Sequence, residues 1–154
     1  EAKSKQKAKP KKAAKVKPTL SPKQIKAKEK KVAKAKKAKF INACKTYNYK
    51  KVMRNPNKYV GKKIKLKCQI NQISEDGLFT QGFLRCYSYS GYDIYADNEY
   101  VIFDERAAKT PKLPSNDIIT VYGTIEKPEV MTRALTGTKD TVFTIKMKYV
   151  KIHN

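Results

Sequence analysis

Lysine bars the first forty residues of this chain from any hydrophobic core. Seventeen of its 36 lysines and arginines stand at positions 1–40, where only Glu1 and Glu29 oppose them. A segment so cationic and so poor in large apolar side chains buries too little surface to offset the entropy of ordering, so it is expected to stay solvated and to seek polyanions. The apolar and aromatic residues gather after Phe40, leaving enough chain for one modest core. That suits a small β-barrel or sandwich better than a two-domain enzyme. No stretch approaches the ~18 consecutive apolar residues of a membrane-spanning helix, so a soluble chain is expected. Its start at Glu1 in place of Met points to residues removed upstream, and a cleaved signal peptide would leave no trace here.

The three widely spaced cysteines, Cys44, Cys68 and Cys86, fit neither a disulfide framework nor the paired spacing of a zinc site. They read as small buried apolar residues, with one bridge and one free thiol as the alternative in an oxidising compartment. The sole histidine, His153, has no companions, which disfavours histidine-dependent triads and His-rich metal sites. Carboxylates are scattered over turns and strand ends, at Glu75-Asp76, Asp97, Glu99 and Asp104-Glu105, without the convergence that paired-carboxylate catalysis requires. No glycine-rich phosphate loop, nucleophile elbow or paired-cysteine motif occurs. The expectation is a protein that is not an enzyme and has no catalytic residues, metal or cofactor.

Along the chain, positions 1–20 read as a disordered basic tail, 21–55 as a helical segment and 60–154 as a barrel. Ser21 stands as an N-cap with Pro22 at the first helical position, and from Lys23 to Lys39 no Gly or Pro interrupts. Phe40, Ile41, Cys44 and Tyr47 share one face of a continuing helix, the face expected to dock on the following domain. Asn55-Pro56-Asn57 ends the helical pattern.

From Lys62 the period becomes two. Ile64, Leu66, Cys68 and Ile70 fall on one face, and Lys63, Lys65, Lys67 and Gln69 on the other, as in a half-buried strand. Ile73 breaks the alternation, as a bulge near Asn71 or Gln72 would. Ser74 to Gly77 reads as a turn into a second strand, Leu78 to Tyr87; Tyr92–Ala96 and Tyr100–Phe103 as a third; Ile118–Ile125 as a fourth; and Thr141–Ile152 as the last. Residues 104–117 are expected to hold a helical turn, and 127–140, with Pro128 and Gly137, a loop. The fold class is mainly β: a five-stranded Greek-key barrel preceded by a helix and a lysine-rich flexible tail.

The run Asn55-Pro56-Asn57-Lys58-Tyr59-Val60-Gly61-Lys62-Lys63-Ile64 resembles the opening of the bacterial tRNA-anticodon-like OB-fold family, where an NP-x-KY-x-GKK-hydrophobic segment leads into the first barrel strand. Asp117-Ile118-Ile119-Thr120-Val121-Tyr122-Gly123-Thr124 is similar to that family's fourth strand. Together the motifs span about residues 47–152. The resemblance implies an OB-fold binding module with no catalytic residues to transfer. It also implies an extracytoplasmic or cell-surface location, since many members are parts of secreted proteins, lipoproteins or membrane-anchored proteins of Gram-positive bacteria. The lysine-rich leader is not part of the family pattern.

OB-folds commonly bind ligands on the face of strands two and three, with aromatics stacking on bases and basic residues tracking phosphates. Here that region offers Phe79, Phe83, Arg85, Tyr87, Tyr89 and Tyr92, with Phe79, Phe83, Arg85 and Tyr87 on one face of the second strand and Leu84 and Cys86 facing inward. The alternative reading makes Phe79 and Phe83 core and packs the tyrosines around a turn. Lys63, Lys65 and Lys67 form a ladder that would position a phosphate backbone, or else an ordinary solvated face that discourages edge pairing. Arg54 and Arg133 stand near loops that would flank the same face. The leading expectation is a monomeric, non-catalytic module that binds a polyanion, foremost nucleic acid. In the alternative, a secreted or cell-surface interaction module is held by its lysine arm to anionic cell-wall polymer or lipid headgroups and presents the barrel to a protein partner.

Overall fold

The computed structural model describes residues 19–78, 81–89 and 98–153. Most of the basic tail, together with the candidate residues Phe79 and Tyr92, lies outside these. The chain divides into two units, residues 1–33 and 34–154. In the first, helix α1 (Pro22–Ala43) begins with a reciprocal cap: the Ser21 N–H donates to Gln24 Oε1 at 3.0 Å, and the Gln24 N–H donates to Ser21 Oγ at 3.4 Å. Pro22 takes the first helical position, where its missing N–H costs nothing. No residue of α1 is buried, so this helix owes its form to capping and propensity more than to packing.

The second unit is a closed barrel of five strands: β1 (Lys63–Ser74), β2 (Phe83–Ser88), β3 (Glu99–Asp104), β4 (Ile118–Thr132) and β5 (Lys139–His153). Around the ring the order is β1-β2-β3-β5-β4, with β4 returning to pair with β1. Every pairing is antiparallel except β3 with β5. This is the strand order of an OB-fold. In β1 the alternation holds from end to end of its first half: Ile64, Leu66, Cys68 and Ile70 are buried while Lys63, Lys65, Lys67 and Gln69 are exposed. The register against β2 then shifts between Ile70 and Gln72, where the broken alternation placed a bulge. That bulge lets one strand serve two neighbours, pairing with β4 over Lys63–Gln69 and with β2 over Cys68–Ser74.

Branched residues of β1, β3, β4 and β5 fill the interior, with Phe143, Ile102, Ile119, Val121, Ile125, Ile145 and Met147 all essentially without solvent contact. A short helix, α2 (Tyr49–Arg54), adds Val52 to this core and stacks Tyr49 on Phe143 with ring centroids 5.9 Å apart. Gly123 sits at the β4–β5 register shift, where a Cβ would collide with the Lys146 carbonyl oxygen. Gly123→Ala should therefore force the two strands apart and cost about 1–3 kcal/mol or more, read as a lower urea midpoint.

Several expected boundaries move. The apolar face of Phe40, Ile41, Cys44 and Tyr47 does not continue on one helix: α1 ends at Ala43, and Lys45 leaves it to bridge in parallel with Ile64. The Lys65 N–H donates to the Lys45 carbonyl at 2.9 Å, a tertiary bond that outweighs helix propensity. Asn48 then restarts a helix as the N-cap of α2, its side chain accepting from the Lys51 N–H. The second strand begins at Phe83 and not at Leu78. The Tyr92–Ala96 part of the third strand lies outside the described residues. No helical turn occurs over 104–117, which runs irregularly and buries Leu113. The stretch 127–140 is mostly strand, because β4 and β5 extend as a hairpin arm that pairs Glu129–Thr132 with Lys139–Val142. Pro128 fits because it falls in a register shift between Glu126 and Glu129, where no ladder N–H is needed.

All three cysteines are free; Cys68 and Cys86 are buried and Cys44 is half-buried. A hydrogen bond with Cys68, and then burial, pushes the Cys86 thiol far up, so it stays protonated. No helix among the described residues is long and apolar enough to cross a membrane.

Candidate nucleic-acid interface

Barrel closure distributes the candidate residues over three places. The first is a groove of about 580 Å³ where Lys65 and Lys67 of β1 meet Tyr47, Asn48 and Tyr49 ahead of and within α2, and Tyr89 and Asn98 on either side of the β2–β3 loop. Strand pairing explains the meeting: the Tyr89 N–H donates to the Lys67 carbonyl at 3.2 Å, and Lys67 Nζ lies 5.3 Å from the Tyr89 ring centroid. Lys65 and Lys67 are exposed, and among the described residues neither pairs with a carboxylate. The tyrosine rings form the apolar part of the wall. Tyr47 packs edge-on against Tyr59 at 5.6 Å, and Tyr49 is wedged between Phe143 and Tyr100. Burial first, then the Glu99 carboxylate, pushes the Tyr49 phenol up, against a backbone hydrogen bond from Glu99 that lowers it. Burial does the same to Tyr100. Both hydroxyls therefore remain donors near neutral pH.

The second place is the outer face of β2, which the sequence marked as the ligand platform. Leu84 and Cys86 point into the core, and Phe83, Arg85 and Tyr87 lie outward, half-buried. Arg85, however, is occupied. Its Nε stands 2.8 Å from Glu99 Oε1, although the N–H is not aligned for a hydrogen bond, and its Nη1 donates to Gln72 Oε1 at 3.2 Å. Arg133, from the loop end of the hairpin arm, reaches the other Glu99 oxygen at 3.5 Å and also binds Asp140. Met131 of the arm places its Sδ 3.9 Å from Arg85 Nη2. Val101, which faces away from the core between Tyr100 and Ile102, is only 1% exposed. The arm thus leans over the β2–β3 face, and two arginines there are balanced by two carboxylates. Phe83 is neither core nor an open platform: it packs edge-on against Phe103 at 6.4 Å.

Glu99 is the joint of this network. Replacing it by Gln leaves the half-buried Arg85 without its carboxylate, at an expected cost of about 1–3 kcal/mol, while the exposed Arg133 keeps Asp140. Hydrogen exchange should show it as faster opening of the amides in residues 129–142, with the rest of the barrel protected.

Lys63 occupies the third place. Its Nζ lies 5.3 Å from the Phe40 ring centroid and Lys148 Nζ lies 5.2 Å from the same ring, while Phe40 meets Tyr149 edge-on at 5.5 Å. Lys63 therefore helps to seat the end of α1, apart from the groove that holds its two neighbours in the ladder. Arg54 ends α2 exposed, and Arg133 belongs to the arm. Sequence periodicity missed Tyr47 and Tyr49 as wall residues because it assigned them to one continuous helix. The signal available was Asn48, a capping residue that splits that helix.

No family model matches the chain, and no curated protein matches it. Among solved structures it is similar to the mitochondrial single-stranded DNA binding protein Rim1 from S. cerevisiae, at 15% sequence identity and a TM-score of 0.40, over 60% of this chain and 94% of that one. It is also similar to a provisionally assigned aspartyl-tRNA synthetase from Leishmania major Friedlin, at 14% identity and a TM-score of 0.42, over 80% of this chain and 26% of that one. The chain thus spans about a quarter of the synthetase. By its own closed order β1-β2-β3-β5-β4, the barrel is an OB-fold.

Proposed function

We propose that this chain is a non-catalytic OB-fold module that binds single-stranded nucleic acid in the groove between β1, α2 and the β2–β3 loop. The observation that carries this reading is the meeting of two exposed lysines, Lys65 and Lys67, which have no carboxylate partner among the described residues, with the rings of Tyr47, Tyr49 and Tyr89 around one hollow. Lysines hold phosphates as point charges, and an aromatic face contributes on the order of 1–3 kcal/mol per stacked base whatever the base. Such a site reads backbone and stacking and carries little sequence preference. The lysine-rich leader adds long-range attraction to the same polyanion, in keeping with a formal net charge of +23. No catalytic step is assigned: Glu99, Asp104 and Asp140 are tied to arginines, and the buried thiol of Cys86 is held protonated.

The test is fluorescence anisotropy of a labelled oligothymidylate with the full chain over a salt series. Affinity should fall steeply and linearly on a log–log plot, with a slope of about −0.7 for each phosphate contacted. Absence of binding at low salt, or an affinity indifferent to salt, removes this function.

A further inference from the structure

The lysine ladder of β1 has a second neighbour besides the groove. On its other side Lys67 is level with Thr120 of β4, which is level with Lys151 of β5. One step along, Ile118 pairs with His153, and one step back Lys65, Tyr122 and Tyr149 stand in a row. Adjacent strands are about 4.8 Å apart, so Lys67 and Lys151 rise from backbones about 10 Å apart with Thr120 between them. Thr120 and Tyr122 form a floor at 4% and 9% exposure, and Lys67 and Lys151 are exposed above it. Thr120 Oγ1 lies 2.7 Å from His153 Nε2. Lys37 and Lys148 bound the face, through the rings of Tyr149 and Phe40.

From the Lys65–Tyr122–Tyr149 row to His153 the charged side chains described on this face are basic; the carboxylate of Glu126, further along β4, is met by Lys146 of β5 at 3.8 Å. Among the described residues none of Lys37, Lys65, Lys67, Lys148 and Lys151 pairs with a carboxylate, whereas the ion pairs of the barrel gather on Arg85, Arg106, Arg133 and Lys146. Nor does the face offer anything to a lipid interior. Among the described residues after α1, the exposed large apolar side chains, Val60, Leu78, Val130 and Leu135, stand in the turn before β1, in the β1–β2 loop and on the hairpin arm. A polymer of phosphates needs an unpaired row of cations without apolar insertion, and that is what the described residues of this face present.

We propose that the outer face of β1, β4 and β5 is a phosphate track that continues the groove, so that a single strand seated at Tyr89 runs its backbone over Lys67 to Lys151 and His153. This rests on the groove being a single-strand site. It assigns the strand to a face other than β2–β3, which the hairpin arm and its carboxylates occupy. His153 supplies a local reporter, being the only histidine in the chain. Burial first, then the charges of Lys67 and Lys151, holds its imidazole below the usual value. A phosphate set between those two lysines offsets their charge and raises it.

The experiment compares the wild-type full chain with Lys148→Gln/Lys151→Gln, using labelled oligothymidylate over a salt series, and follows the His153 imidazole by NMR titration with and without the oligonucleotide. The double variant should bind more weakly, with a log–log salt slope shallower by about 1.4, and the His153 pKa should rise on binding. Lys151→Gln alone, which leaves Lys148 on the Phe40 ring, should reduce the slope by about 0.7 and covers the case in which the double variant does not fold. If the wild type binds but these slopes and the His153 pKa stay unchanged, the track is overturned and the groove stands. If the wild type does not bind at all, groove and track fall together. Loss of binding to anionic phospholipid vesicles with oligothymidylate binding intact would overturn the track in favour of a membrane surface.

Discussion

Reversing both charges in Lys65→Glu/Lys67→Glu should weaken oligothymidylate binding about 100-fold at moderate salt, equivalent to roughly 3 kcal/mol. Each substitution removes a phosphate contact and sets a repelling carboxylate in its place, next to the rings that would stack the bases. Both side chains are exposed and point away from the core, so the fold should be almost untouched. Lys67 also gives up its contact with the Tyr89 ring, worth about 0.5–1 kcal/mol at an exposed site. Arg85→Ala gives the contrast. That arginine is bound to Glu99 and Gln72, so its loss should disturb the arm more than the binding. A double reversal that binds as tightly as wild type would remove the groove from the site.

Phe143→Ala should cost about 3–5 kcal/mol. Its side chain is the largest of those fully buried, with 1% exposure. It pairs with Tyr100 across the parallel β3–β5 contact, at 5.0 Å between centroids, and carries Tyr49 of α2 on its other flank. A hole there undermines both the ring closure between β3 and β5 and the seat of α2. Against a total stability of about 5–15 kcal/mol for a domain of this kind, the variant should be close to unfolding at physiological temperature. Urea denaturation should show the midpoint falling with little change in slope. A loss under about 1 kcal/mol would mean that the aromatic cluster is peripheral to the core.

The barrel was legible wherever one face alone was buried. The alternation Ile64, Leu66, Cys68, Ile70 identifies β1 and its inner face, and the break at Ile73 marks a real shift of register. The hairpin arm was not legible, because beyond Glu126 both of its faces are partly open and the period-2 signal fades. Pro128 then looked like a loop residue, though it sits in a register shift within β4, whereas Gly137, at φ +67°, does lie in the turn between β4 and β5. The split of the helix at Ala43 was hidden for a different reason: Lys45 is taken by a bridge to Ile64, a partner visible only once β1 is in place. The outward placing of Lys65 and Lys67 could be read from the strand period alone, whereas Tyr89 stands just past the end of β2. Arg85 looked free because its partners, Glu99 and Arg133, come from β3 and the hairpin arm.

Mapping backbone amide shifts of the full chain on addition of oligothymidylate tests the central claim most directly. The expected result is that the largest changes fall on Tyr47–Tyr49, Lys65–Lys67, Tyr89 and Asn98 and extend to Thr120 and Lys151, with Phe83–Tyr87 and the arm unmoved. Changes centred on Phe83, Arg85, Tyr87 and Arg133, or no changes at low salt, would contradict it.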